Sequence, residues 1–145
     1  MQCAMLSEEE LDRLMKDTRI VRHRKKIESV RSNAQLIYYL RDDYRSFSAF
    51  LSQWPENDFV SLWEYLKKNG SRLGGQTGRY FLRFVGFDAP LLTKDVCDAL
   101  IANEVINKPP NSKKALLEVQ DAFNSWQQES SFSFAQISRV LAISI

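Results

Sequence analysis

An all-α fold of about eight helices is predicted by three observations. No period-two alternation of apolar and polar residues persists anywhere in the 145 residues. Apolar residues instead recur at intervals of three, four and seven, which lines one face of a helix. Helix starters and stoppers punctuate these runs: Ser7, Thr93 and Ser112 before them, Asn69-Gly70 after one of them. The length suits a single domain over residues 1–145 with one sizeable core, and no internal repeat is visible.

The elements follow in order. Ser7 before Glu8-Glu9-Glu10 is a capped, acid-opened start, with Leu11 and Leu14 on its apolar stripe, and that helix is expected to end near Asp17. A second amphipathic helix carries Ile20, Ile27, Val30, Ala34, Ile37 and Leu40, with Arg22, Arg24, Lys25, Lys26 and Arg31 opposite. A shorter helix lies between Tyr44 and Trp54, with Pro55 ending it. Asn57 or Asp58 then caps a helix with Phe59, Leu62, Trp63 and Leu66. Tyr80-Phe81-Leu82 and Phe84-Val85 predict a nearly all-apolar helix buried among neighbours, with Trp63 and Phe84 in the core. Thr93 caps the next helix, to about Asn103. Asn107–Ser112, with Pro109-Pro110, is the one linker-like stretch. Ser112 opens a helix carrying Leu116, Val119, Phe123 and Trp126. Ser131 or Ser133 caps the last, with Phe134, Ile137 and Leu141 on one side.

The stretch Leu66–Leu100 organises the chain. A helix stops at Asn69-Gly70, a turn bears Gly74 and Gly75, and a second helix opens at Gln76-Thr77. Glycines can take positive φ where the chain reverses, and they clear the space before the next helix's unpaired amides. Amides at the positive end of a helix dipole hold phosphate. The candidate phosphate-binding set is Arg72, Leu73, Gly74, Gly75, Gln76, Thr77 and Gly78, with Lys67, Lys68, Arg79 and Lys94 around it. The alternative is an ordinary αα-hairpin with a solvated, lysine-decorated turn.

Charge distribution says more than the net value of +2. Six basic residues against one acidic stand between Arg19 and Arg31, and six against one between Lys67 and Lys94. Two such segments suit a local polyanion footprint, or else solvated helix faces. Cys3 and Cys97 form no spacing motif, which predicts no disulfide and a reducing compartment. The chain shows neither an apolar run near the roughly 18 residues of a membrane helix nor an apolar signal core. These features predict a soluble, cytoplasmic protein without membrane partners.

The string Leu73-Gly74-Gly75-Gln76-Thr77-Gly78, an apolar helix, Ala89-Pro90 and then Asp95 resembles the helix-hairpin-helix DNA glycosylases, whose hairpin reads LPGVGxxTA. Arg72 takes the place of the usual first glycine. Gln76 replaces the lysine that bifunctional members use as nucleophile, so the resemblance implies simple base excision. Arg19-Ile20-Val21-Arg22-His23-Arg24-Lys25-Lys26-Ile27, followed by Asn33-Ala34, looks like the DNA-3-methyladenine glycosylase I family. The Phe47–Phe50 spacing, Leu66-Lys67-Lys68 and Gln136-Ile137-Ser138-Arg139 also fit divergent members, so the resemblance is expected to span nearly the whole chain. It implies a partial helix-hairpin-helix glycosylase-like bundle, with the hairpin at about 59–86 and C-terminal helices over 112–145. The family's extra N-terminal region, which grips the base, has no counterpart here, so the chain reads either as a truncated piece or as a divergent member lacking half the pocket. The family's zinc site has no counterpart in one histidine, His23, and two unspaced cysteines, so neither metal nor cofactor is expected.

What the resemblance implies is a monofunctional glycosylase that hydrolyses the N-glycosidic bond of an alkylated purine such as 3-methyladenine in double-stranded DNA. Such enzymes extrude the nucleotide and read it in an aromatic-lined pocket. A carboxylate near the developing sugar cation then stabilises the transition state. Asp95 is the candidate, since a helix start favours negative charge; Asp98 is a weaker one. Without the family, Asp95 reads rather as a residue favoured by the helix dipole, and with it the two readings stand level. Tyr80 is the candidate base-pocket residue, because a phenol can line a pocket with its polar end. His23 reads as a solvated or capping residue, and Trp126 as core. The alternatives are a non-catalytic DNA-binding hairpin module and a helical protein-interaction domain. An apolar face left bare by the family's missing helices would favour pairing of two chains.

Overall fold

The computed structural model describes residues 2–145. Met1 lies outside them. A 3₁₀ turn over Gln2–Met5 precedes eight helices: α1 Glu8–Leu14, α2 Arg24–Tyr44, α3 Phe47–Ser52, α4 Phe59–Asn69, α5 Gly75–Phe84, α6 Lys94–Ala102, α7 Lys113–Ser130 and α8 Phe134–Ile143. The described residues contain no strand, as the sequence predicts. None of these helices is long and apolar enough to cross a membrane.

Local chemistry sets the helix starts. Ser7 and Glu10 form a reciprocal capping box, the Ser7 amide donating to the Glu10 carboxylate at 2.8 Å and the Glu10 amide to Ser7 Oγ at 3.2 Å. Asp58, Thr93, Ser112 and Ser133 each accept a first-turn amide of the helix that follows. His23 caps α2, its Nδ1 accepting from the Lys26 amide at 3.3 Å.

The body packs around α4. Phe59, Leu62 and Leu66 are fully buried there, with Leu82 of α5, Val96 and Leu100 of α6, Val119 and Phe123 of α7 and Phe134 of α8. Phe59 meets Phe134 edge to face at 5.2 Å between centroids, and Phe123 at 6.2 Å. Each such side chain gains about 1.5–3 kcal/mol from leaving water. Long-range caps lock the layers together. Gln120 of α7, itself buried, accepts the Val60 amide at 2.8 Å. The Asp88 carboxylate accepts the Phe134 and Ala135 amides, both at 2.9 Å, which fixes the α5–α6 loop to the start of α8.

Four expectations need correcting. α1 ends at Leu14, short of Asp17, and α2 begins only at Arg24, which leaves Ile20, Val21 and Arg22 outside it. Of the α2 stripe only Ile27 and Leu40 are buried, while Val30 is 52% exposed. α2 packs mainly on the 3₁₀ turn, α1 and α3, so part of its apolar face has no facing element. Val30, Ile27, Val21, Ile20 and Met5 line a groove of about 780 Å³ there. Phe84 is 82% exposed rather than core, and Tyr80 and Val85 are exposed as well. α5 buries Leu82 against the body but leaves this second face uncovered.

The first basic segment is also less free than its composition suggests. Arg24 pairs with Glu8, Asp12 and Glu28. Arg31 pairs with Glu8 at 2.8 Å, and Arg19 with Asp17 at 2.7 Å. Half of that run is thus neutralised within the chain, and Arg22, Lys25 and Lys26 remain exposed.

Candidate nucleic-acid interface

The turn between α4 and α5 is held from a distance by Asn33 on α2. Its Oδ1 accepts the Ser71 amide at 2.7 Å and its Nδ2 donates to the Ser71 carbonyl at 3.0 Å. Sequence reading singled out Asn33-Ala34 as a pair, but the clamp itself depends on two segments 38 residues apart meeting in space. Replacing Asn33 by alanine is expected to cost about 1–2 kcal/mol, the loss of two half-buried hydrogen bonds. Chemical denaturation would read that cost, and the same variant should bind DNA more weakly because the turn is freed.

The reversal is divided among residues differently from the glycine pattern. Gly75 takes φ of 59°, but Gly74 sits at φ −81°, open to any residue. Arg72 instead carries the second left-handed conformation, φ 61°. This is the position that the sequence resemblance assigns to the hairpin's usual first glycine. Gly78 is required for closeness: a Cβ there would lie 2.1 Å from the Leu73 carbonyl oxygen. It is buried, so it supports the turn rather than facing a ligand.

The amides that open α5 are vacant. Among the described residues, the backbone N–H groups of Arg72, Leu73, Gly74, Gly75, Gln76 and Thr77 have no acceptor within the chain, and Gly74 provides no side-chain cap. Arg72, Gly75 and Thr77 are exposed, as are Lys67 and Lys68 on the last turn of α4. The corner is therefore open, polar and cationic, the conditions for holding an anion.

Gln76 has a structural task besides its free amide. Its Nε2 donates to the Leu92 carbonyl at 2.7 Å and its Oε1 accepts from Arg79 Nη1 at 2.8 Å. The first bond brings the start of α5 against the strand of chain that enters α6. Asp95 stands on that α6 first turn, exposed and free of hydrogen bonds or ion pairs among the described residues. Lys94, beside it, pairs with Asp98 and is exposed. That pairing raises the Lys94 ammonium above its usual value. Tyr80 is 40% exposed and stacks with Phe84 at 6.2 Å between centroids. The two rings form an open platform on the solvent face of α5, not an enclosed pocket.

Arg79 is the residue whose setting no sequence pattern gives. It was counted among the cations round the turn, yet it is largely buried, its guanidinium carbon 4.3 Å from the centroid of the Trp63 ring. Burial pulls it below its ordinary value, slightly offset by Cys97. His23 is committed to its cap, while Cys3 is exposed and Cys97 half-buried.

No curated protein and no solved structure was found to match the chain. A family model described as methyladenine glycosylase matches residues 1–82, which takes in α1 to α4, the hairpin turn and most of α5. The match stops short of Lys94, Asp95 and the C-terminal helices, so it is narrower than the resemblance expected from the sequence. It nevertheless covers 82 of 145 residues, including the clamp, the vacant amides and the buried arginine, and on that extent the chain belongs to the methyladenine glycosylase family.

Proposed function

We propose that this chain is a monofunctional DNA glycosylase that releases an alkylated purine such as 3-methyladenine by water-mediated hydrolysis. The observation that carries the reading is the row of unpartnered amides from Arg72 to Thr77 on an exposed, lysine-flanked corner. A backbone phosphate docks there without regard to sequence, and Lys67, Lys68, Arg72 and Lys94 add salt-sensitive attraction. Contact of all four cations with phosphates corresponds to a slope of about −3.6 in log Kobs against log salt.

With the strand held at the hairpin, the Gln76–Leu92 bond keeps the α6 start beside it. Asp95 supplies the charge that stabilises the sugar cation or orients the attacking water, and Tyr80 offers its ring to the everted base. Gln76 has no amine, so no Schiff base forms there. Incubation with alkylated duplex DNA, followed by chromatography of the released base, tests the reading. Failure to release any base would leave the second reading, a DNA-binding hairpin module. The open setting of Tyr80 and Phe84, 40% and 82% exposed among the described residues, favours that alternative.

Gly74 separates DNA contact from stability. Its backbone is ordinary, and an added Cβ meets only the flexible Lys67 stem, 3.3 Å away at Cγ. Gly74→Val is therefore expected to weaken DNA binding tenfold or so while shifting the melting temperature little. Equal losses of both, read by fluorescence anisotropy and thermal melting, would return the turn to a structural role.

A further inference from the structure

Adjoining the hairpin corner, and sharing Lys67, Gly75 and Gln76 with it, lies a cleft of about 500 Å³ between α4, the start of α5 and the segment leading into α7. Its floor is the stacked pair of Arg79 and Trp63. Trp63 is only 7% exposed, yet its indole N–H has no acceptor among the described residues. The Arg79 Nε is likewise buried without a partner. No carboxylate pairs with Arg79, whose one hydrogen bond goes to the neutral amide of Gln76. Buried cations are ordinarily paired, and buried donors ordinarily bonded.

The rim adds to the imbalance. Lys67 and Lys113 stand on it with one carboxylate, Glu64, which is bound to Lys113 at 2.7 Å. Three positive charges and one negative leave the cleft at +2, and Gly75, at the positive end of α5, lines it. A methylated purine carrying positive charge is repelled from such a place, so this is not the lesion pocket. A neutral ligand would leave the guanidinium uncompensated.

We propose that the Trp63–Arg79 cleft is a second anion site that takes a phosphate group, set beside the hairpin corner and apart from any base pocket. Two sources share that chemistry: a phosphate farther along the bound strand, and a free phosphate-bearing small molecule. One wall, Pro110 to Leu116, lies beyond the family match, so the site combines the shared hairpin with a segment outside it. It does not require DNA at the hairpin, and Gly74→Val leaves its floor untouched.

The test compares thermal unfolding of the whole chain in inorganic phosphate and in chloride at equal ionic strength. The expected result is a melting temperature that climbs with phosphate concentration by several degrees, as for any ligand bound only by the folded state. In Arg79→Met that dependence shrinks to the share of the hairpin corner, the share that Gly74→Val removes instead, while the melting temperature in chloride stays level or rises, because an unpaired buried charge has been removed. Identical melting of the parent chain in the two salts overturns the proposal. If Arg79→Met instead melts much lower in chloride, the exposed variant Lys113→Gln decides: a phosphate response smaller than the parent's supports the site, and an undiminished one overturns it. The sources are then told apart with duplex DNA. A salt slope shallower by about one in Lys113→Gln assigns the phosphate to the strand. An unchanged slope assigns it to a free phosphate-bearing molecule.

Discussion

Asp95→Asn is expected to slow release of an alkylated purine by roughly 10²–10⁴-fold, the range a positioned acid or base contributes. The substitution is nearly isosteric and removes only the charge. Asp95 is exposed and makes no hydrogen bond or ion pair among the described residues. Its structural contribution is thus confined to the favourable field at the start of α6, and the melting temperature should hardly move. DNA affinity should also be preserved or slightly raised, since a negative charge near phosphates is lost. Single-turnover base release gives the rate, and anisotropy gives the affinity. Asp98→Asn is the matched control: its carboxylate is engaged by Lys94 on the preceding turn, and release should continue at the parent rate. A parent-like rate in Asp95→Asn would leave that aspartate with its dipole role alone and move the search for the carboxylate elsewhere.

What could be read from the chain divides along the range of the forces involved. Caps act over three residues, so Ser7, Thr93 and Ser112 fall within the reach of a local pattern, which also narrows the α4 cap to Asn57 or the observed Asp58. The glycine-bearing turn and its lysines were legible for the same reason. Periodicity, however, shows that a helix has an apolar face without showing what meets it. Val30 and Phe84 sit on regular stripes, yet α2 and α5 each have a side that no other described element covers. Charges mislead similarly. The Arg19–Arg31 run reads as a footprint, but α1 folds its acids against Arg24 and Arg31. Arg79 reads as one more surface cation, and only the packing of α5 on α4 lays it across Trp63. Gln76 was marked by its place in the motif, whereas its side-chain partner, the Leu92 carbonyl, lies 16 residues away and was invisible to any local rule.

Gly78→Ala should destabilise the fold by about 1–3 kcal/mol, the cost of forcing a methyl into filled space, although the same change in an open helix gains about 1 kcal/mol. The sign reverses because of one contact. The new Cβ would stand 2.1 Å from the Leu73 carbonyl oxygen and 3.1 Å from its carbonyl carbon, both backbone atoms that no rotamer change can move. Relief requires α5 to back away from the turn by about an ångström, and Leu73 leads directly into the vacant amides. DNA affinity and stability should therefore fall together in Gly78→Ala, in contrast to Gly74→Val, where only affinity falls. Gly75 completes the set. Nothing lies within 4 Å of a Cβ there, so the cost of Gly75→Ala is the left-handed φ of 59° alone, on the order of 1 kcal/mol. Urea melts of the three variants alongside anisotropy titrations distinguish closeness, conformation and contact as the reasons for three glycines in one turn. A Gly78→Ala protein more stable than its parent would mean that α5 and the Leu73 carbonyl do not approach as described, and the placement of the amides would have to be redrawn with it.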